Sequence, residues 1–214
     1  LNADNHFKVT DSGFVFSVSA EGGYIHPLEN RGSVASGIDD IRLTDRFYLG
    51  EPQIRGFDIR GVGPRVQRIF FDGAIENGVP VNVPRLDRKQ IQDDAIGGRA
   101  YYLARAELQI PLGSGAKELG LRPSVFVDAG AVFKVTTPIL QTVLQRSAAT
   151  ATTPSQPLYY TVNTSGTTPT LETTTVATNP DGSARVPVLQ FEERFFGDSW
   201  KPRVSVGFGV NWNS

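Results

Sequence analysis

Four stretches of the chain alternate apolar and polar residues with a period of two, the pattern of a strand whose two faces meet different surroundings. In the first, 14–26, Phe14, Phe16, Val18 and Ala20 fall on one face and Ser17, Ser19 and Glu21 on the other. In the second, 95–111, Ala100, Tyr102, Ala104, Ala106, Leu108 and Ile110 oppose Arg105, Glu107 and Gln109. The third, 121–133, sets Val125, Val127, Ala129, Ala131 and Phe133 against Ser124, Asp128 and Gly130, with Phe126 and Val132 on the polar side. The fourth, 203–213, alternates Val204, Val206, Phe208, Val210 and Trp212 with Ser205, Gly207, Gly209 and Asn211.

Each stretch approaches roughly the 9 to 11 residues that a tilted strand needs to cross a bilayer. Soluble sandwiches manage with about 5 or 6 per strand. The connections alternate long (27–94), short (around Gly113 to Gly120) and long (134–202), the parity of an up-and-down outer-membrane barrel with long outer loops and short periplasmic turns. The fold expected is therefore all-β, an antiparallel transmembrane β-barrel of which about four spanning strands and two long extracellular loops are present. The soluble alternative is a β-sandwich with two large insertions. Four strands cannot close a barrel, because membrane barrels start at about eight and an open edge in lipid leaves backbone groups unpaired. Further strands are expected on both sides, with a short periplasmic turn following Trp212-Asn213-Ser214.

The two excursions differ in character. The first is rich in Gly, Pro and charges of both signs, with Arg55, Arg60, Arg65, Arg68, Arg85 and Arg88 set against Glu51, Asp58, Asp72, Glu76 and Asp87, and Ile41 to Leu49 reads as a short strand extension. In the second, 136–187 is dominated by Thr, Ser, Pro and Ala with few charges, a composition expected to stay a mobile exterior loop. Phe191, Phe195, Phe196 and Trp200 are expected to return the chain to the membrane interface, where aromatic residues concentrate.

Composition narrows the chemistry. The 214 residues include no Cys and no Met, and the first eight lack the charged start and apolar run of a secretory signal, so the chain is expected to be a piece of a longer protein. Without Cys there is no disulfide, thiolate nucleophile or Cys-based metal site. A formal net charge of -1 argues against a nucleic-acid partner, and no apolar run is long enough for a spanning helix. His6 and His26 stand without a serine elbow or Cys, so no nucleophile and base pair is expected. Asp39-Asp40 and Asp93-Asp94 are expected to be solvated loop acids rather than metal ligands. Gly61-Val62-Gly63-Pro64 lacks the Lys-Ser/Thr ending of a phosphate loop. No catalytic residue, metal or cofactor is expected, and the chain does not read as an enzyme.

Within the first excursion stand Arg46-Phe47-Tyr48-Leu49-Gly50, Ile54-Arg55-Gly56-Phe57 and Gly61-Val62-Gly63-Pro64-Arg65, followed by Asp93-Asp94-Ala95-Ile96-Gly97-Gly98, Phe126-Val127-Asp128-Ala129-Gly130 and the strand 203–213. In this order the set resembles the BamA-type outer-membrane protein assembly factors of the bacterial surface antigen superfamily. Glu51 departs from it, standing where the family usually has a second Gly, which leaves the local turn open. The resemblance implies a C-terminal barrel in the outer membrane of a Gram-negative cell that folds and inserts client β-barrel proteins. Its partners would be membrane lipid, unfolded clients and periplasmic assembly lipoproteins. Sister barrels that secrete a partner protein or assemble autotransporters, and a passive porin, are the alternatives.

The family also implies that the loop carrying Arg55, Gly56 and Phe57 folds back into the barrel and that Arg55 reaches carboxylates on the inner wall. The alternation supplies candidates by itself. Glu107 and Asp128 lie on polar faces of consecutive antiparallel strands and can share one guanidinium, whose planar fork suits carboxylates. The competing arrangement leaves Arg55 exposed and pairs Glu107 with its neighbour Arg105.

Overall fold

The computed structural model describes residues 2–8, 13–29, 31, 36–112 and 121–212. The chain divides into two compact units, one of residues 1–65, 95–138 and 196–214 and the other of 66–94 and 139–195.

The first unit is built on a five-stranded antiparallel sheet. The alternating stretches form β2 (Val15–Tyr24), β6 (Ala100–Gln109), β7 (Leu121–Phe133) and β12 (Arg203–Trp212), and β1 (Asn2–Lys8) pairs along β2. The sheet order is β1-β2-β6-β7-β12. Asn2 to Lys8 is a strand that alternation does not announce, because polar residues occupy both of its faces. The expected turn around Gly113 to Gly120 and the last two residues lie outside the described residues.

Register turns the alternation of single strands into two continuous surfaces. One carries the rows Phe16–Leu108–Val125–Phe208, Val18–Ala106–Val127–Val206 and Ala20–Ala104–Ala129–Val204. This face is uncovered: Val206 is 75% and Phe208 85% exposed. A contiguous apolar band of this kind is unfavourable against water and favourable against lipid. Where the long excursions leave the sheet, Tyr102 packs edge-on to Phe133 at 6.3 Å and donates a 2.7 Å hydrogen bond to the Trp200 carbonyl. Lys134 sits 4.6 Å over the Tyr24 ring. Aromatic residues at the end of an apolar band mark a membrane interface.

The opposite face carries Ser17–Glu107–Phe126–Gly207, Ser19–Arg105–Asp128–Ser205 and Glu21–Leu103–Gly130–Arg203. Against it docks the excursion from 36 to 65. Leu49, Ile54 and Val62 of that segment bury with Leu103 of β6 and Val132 of β7, and Phe47, Phe57 and Tyr101 pack around them. The expected strand over Ile41 to Leu49 does not form. Leu43–Asp45 makes a 3-10 turn, and Phe47 and Leu49 instead make single antiparallel bridges to Gly98 and Val62. Short bridges let the chain reverse direction within a few residues and seat apolar side chains where a continuous strand could not. Glu51 takes no positive φ, so the glycine missing there is not needed for the turn adopted.

The second unit is also β. Here β3 (Arg65–Glu76), β4 (Val79–Pro84), β5 (Gln92–Ala95), β8 (Thr142–Leu144) and β11 (Leu189–Phe196) make a sheet in the order β4-β3-β11-β8, with β5 on β3, while β9 (Tyr159–Asn163) and β10 (Thr170–Thr174) form a hairpin. The stretch 136–187, expected to be a mobile loop, therefore carries β8, β9 and β10. Local composition misjudged it because its support lies outside the stretch: β8 pairs with β11, which pairs with β3, and the buried Tyr160 of β9 lies against Gly73 of β3. A two-residue connection at Asn77-Gly78, a dipeptide with strong hairpin preference, joins β3 to β4 and marks this unit in the sequence. Phe191, expected at the membrane interface, packs edge-on to Phe70 at 5.9 Å and lies under Arg68 at 4.4 Å.

Candidate functional site

Ile54 and Arg55 are consecutive in an irregular segment and point to different surroundings. Ile54 is fully buried among Leu49, Val62, Leu103 and Val132, which fixes the backbone beside it. Arg55 is thereby held over the polar face of β6 and β7. Its Nε donates to Oδ2 of Asp128 at 2.8 Å and one terminal nitrogen to Oδ1 at 2.7 Å, a two-pronged pairing. The other terminal nitrogen donates to Oε2 of Glu107 at 2.9 Å, and the Arg55 backbone amide donates to Asp128 Oδ2 at 3.1 Å. The guanidinium lies 3.4 Å above the Phe126 ring centroid. Charge-assisted hydrogen bonds, the forked geometry and a ring face beneath the cation favour the same placement. The hydrogen bond to Asp128 contributes most to raising the Arg55 pKa above its ordinary value, so the group is a permanent cation.

The structure brings Arg55, Glu107 and Asp128 together; Asp128 has no exposure and the Arg55 side chain is 35% exposed. Glu107 faces Arg55, and Arg105 turns elsewhere, donating to the Gln53 carbonyl. Gly56 has φ of 82°, where a side chain would be strained, so the chain turns away immediately after the arginine. Phe57 then returns to the apolar cluster. The loop is thus pinned by a cation between two hydrophobic anchors.

Two residues of this cradle were not singled out from sequence. Phe126 is two positions before Asp128 on the same face, and Gly207 is its cross-strand partner on β12. A Cβ at Gly207 would lie 2.5 Å from the Phe126 ring, so the absence of a side chain lets the ring lie flat under Arg55. Alternation placed both residues on the polar face, but only register sets them opposite one another.

A second ionic centre holds the base of the same excursion. Asp39, expected to be solvated, is buried. Its carboxylate accepts from the amides of Thr136 at 2.7 Å and Ile41 at 2.9 Å and from Arg99 Nε at 3.0 Å. Arg46 approaches to 3.8 Å, and also donates to the Ile96 carbonyl at 2.9 Å, while Phe47 and Gly98 exchange backbone hydrogen bonds of 2.9 and 3.0 Å. The Arg46-Phe47 and Ile96-Gly97-Gly98 motifs are therefore two halves of one joint. Asp93 and Asp94 are exposed, and among the described residues no His, Asp or Glu group is arranged to hold a metal.

Burial alone would raise the Asp39 pKa, but the Thr136 and Ile41 amides and Arg99 outweigh it and hold the carboxyl below its usual range. A depressed native value stabilises the fold above the unfolded carboxylate pKa of about 3.9, and that contribution disappears as pH falls through the native value. Amide-exchange protection of 39–48 is accordingly expected to be flat above about pH 4 and to decline only in stronger acid. A decline centred near neutral pH would contradict this assignment.

A family model described as the Omp85 superfamily domain matches residues 1–214. Among curated proteins, the outer membrane protein assembly factor BamA of Neorickettsia risticii (strain Illinois) is 28% identical over 130 residues, which are 61% of this chain and 13% of that protein. Among solved structures, the crystal structure of BamA from Haemophilus ducreyi lacking POTRA domains 1-3 aligns with 96% of this chain and 34% of its own, at 17% identity and a TM-score of 0.41. The chain thus spans a small part of the length of the relatives it matches.

Proposed function

The chain belongs to the Omp85 superfamily of outer-membrane β-barrel proteins, and from that membership we propose that it works in folding and inserting client β-barrel proteins into the bacterial outer membrane. The observation that carries this reading is Arg55 shared between Asp128 and Glu107. It pins a long excursion to the polar face of a sheet whose other face is apolar and uncovered, and that polar face is read as the lumen wall. A passive porin has no evident use for a plug held by a permanent cation. The name of the curated relative favours assembly over secretion of a partner protein or assembly of autotransporters, which a barrel of the same design could serve.

The proposed work needs no catalytic centre. An edge strand templates an incoming strand by backbone hydrogen bonding, and the pinned loop keeps the barrel wall in the shape that presents that edge. Clients, outer-membrane lipid and periplasmic assembly lipoproteins are the partners this reading implies.

Arg55→Lys tests the reading, because it keeps the charge and removes the fork. Loop docking is expected to weaken by about 1–2 kcal/mol, with a matching fall in the yield of folded client barrels when the full-length protein is assayed in lipid vesicles. Parental client yield with parental protection of residues 50–60 would overturn it.

A further inference from the structure

The row Ser19–Arg105–Asp128–Ser205 crosses four adjacent strands on the polar face. Within it, Arg55 from the loop occupies both oxygens of Asp128. The two residues that flank Asp128 in the row each hold a buried donor without a partner, Nε of Arg105 and Oγ of Ser205. Buried donors are almost always satisfied, and those that are not call for an explanation. Here both flank one carboxylate, and the loop arginine already fills three of its roughly four acceptor sites.

Arg105 is attached to the loop as well, through the carbonyl of Gln53, two residues before Arg55. Withdrawal of the loop would therefore release Asp128, Glu107 and Arg105 in the same event. The freed cation stands directly across the strand pair from one freed carboxylate and two residues along β6 from the other. Cross-strand neighbours on one face lie within easy reach of a guanidinium.

We propose that Arg105 and Ser205 are the partners that Asp128 takes when Arg55 leaves, which makes the lock a two-position switch rather than a permanent tie. The proposal rests on the reading of Arg55 as the lock. Its physical content is that the undocked state retains a paired Asp128, so the loop can open without stranding a buried charge. A protein that must admit and release polypeptide segments has a use for a plug that undocks reversibly.

Hydrogen exchange of loop amides 50–60 in the full-length protein in lipid vesicles tests this. Ser205→Ala removes support from the open state only, whereas Arg105→Gln also gives up the charged donor to the Gln53 carbonyl of the docked loop. Exchange is expected to slow roughly twofold in Ser205→Ala. Faster or unchanged exchange would overturn the proposal. Relief of repulsion between the two guanidinium groups would slow exchange in Arg105→Gln but leave Ser205→Ala at the parental rate, and that pattern also overturns it. In an Arg55→Gln background, adding Arg105→Gln is expected to lower the urea midpoint of the barrel further, and no further loss counts against the standby role. If Arg55→Gln itself leaves loop exchange at the parental rate, the lock reading fails, and the switch with it.

Discussion

Asp128→Ala is expected to release the 36–65 excursion from the sheet and to lower stability by roughly 2–4 kcal/mol, below the upper range for breaking a buried ion pair because the arginine is partly exposed. Three hydrogen bonds from Arg55 converge on this carboxylate, which has no exposure, and Glu107 alone cannot satisfy the fork. Asp128→Asn should lie between the two, since one oxygen remains to accept. The quantities to measure are protease sensitivity of residues 50–60 and the urea midpoint of the full-length protein in vesicles. A parental midpoint and parental protection in Asp128→Ala would show that the contact does not hold the loop.

Asp39→Ala is expected to have an effect of similar size, about 3 kcal/mol or more, by a different route. It strips the acceptor from the amides of Thr136 and Ile41 and from Arg99, leaving buried donors with nothing to meet. The disturbance should spread along the joint that Arg46 and Phe47 make with Ile96 and Gly98, so protection is expected to fall at 39–48 and 95–99 before it falls at 50–60. If Asp39→Ala opened the Arg55 region first, the two ionic centres would be one cooperative unit rather than two.

These centres differ in how far the sequence could reveal them. Arg55, Glu107 and Asp128 were legible because two independent signals met: an ordered motif set, and a period of two that put both carboxylates on polar faces of consecutive strands. Asp39 was not, because an Asp-Asp pair in a Gly- and charge-rich stretch looks solvated whether or not the chain folds over it. Its cage comes from residues 60 and 97 positions away. The Thr-rich stretch failed for the same reason. Nothing within 136–187 can bury enough apolar surface alone, but β8 finds its hydrogen-bond partner in β11 beyond it, and Tyr160 is covered against Gly73 of β3.

By itself the sequence determined what depends on local periodicity: four long strands, which side chains share a face in each, the apolar character of one face, and an arginine motif suited to carboxylates. A strand's faces are set by its own alternation, and that information is entirely local. Tertiary structure decided what depends on register between distant segments. It set Phe126 opposite Gly207, which makes a bed for the guanidinium, and placed Arg105 and Ser205 on either side of Asp128. A shift of one residue in pairing would move every side chain to the other face, so a row of four residues on four strands exists only once the sheet has formed.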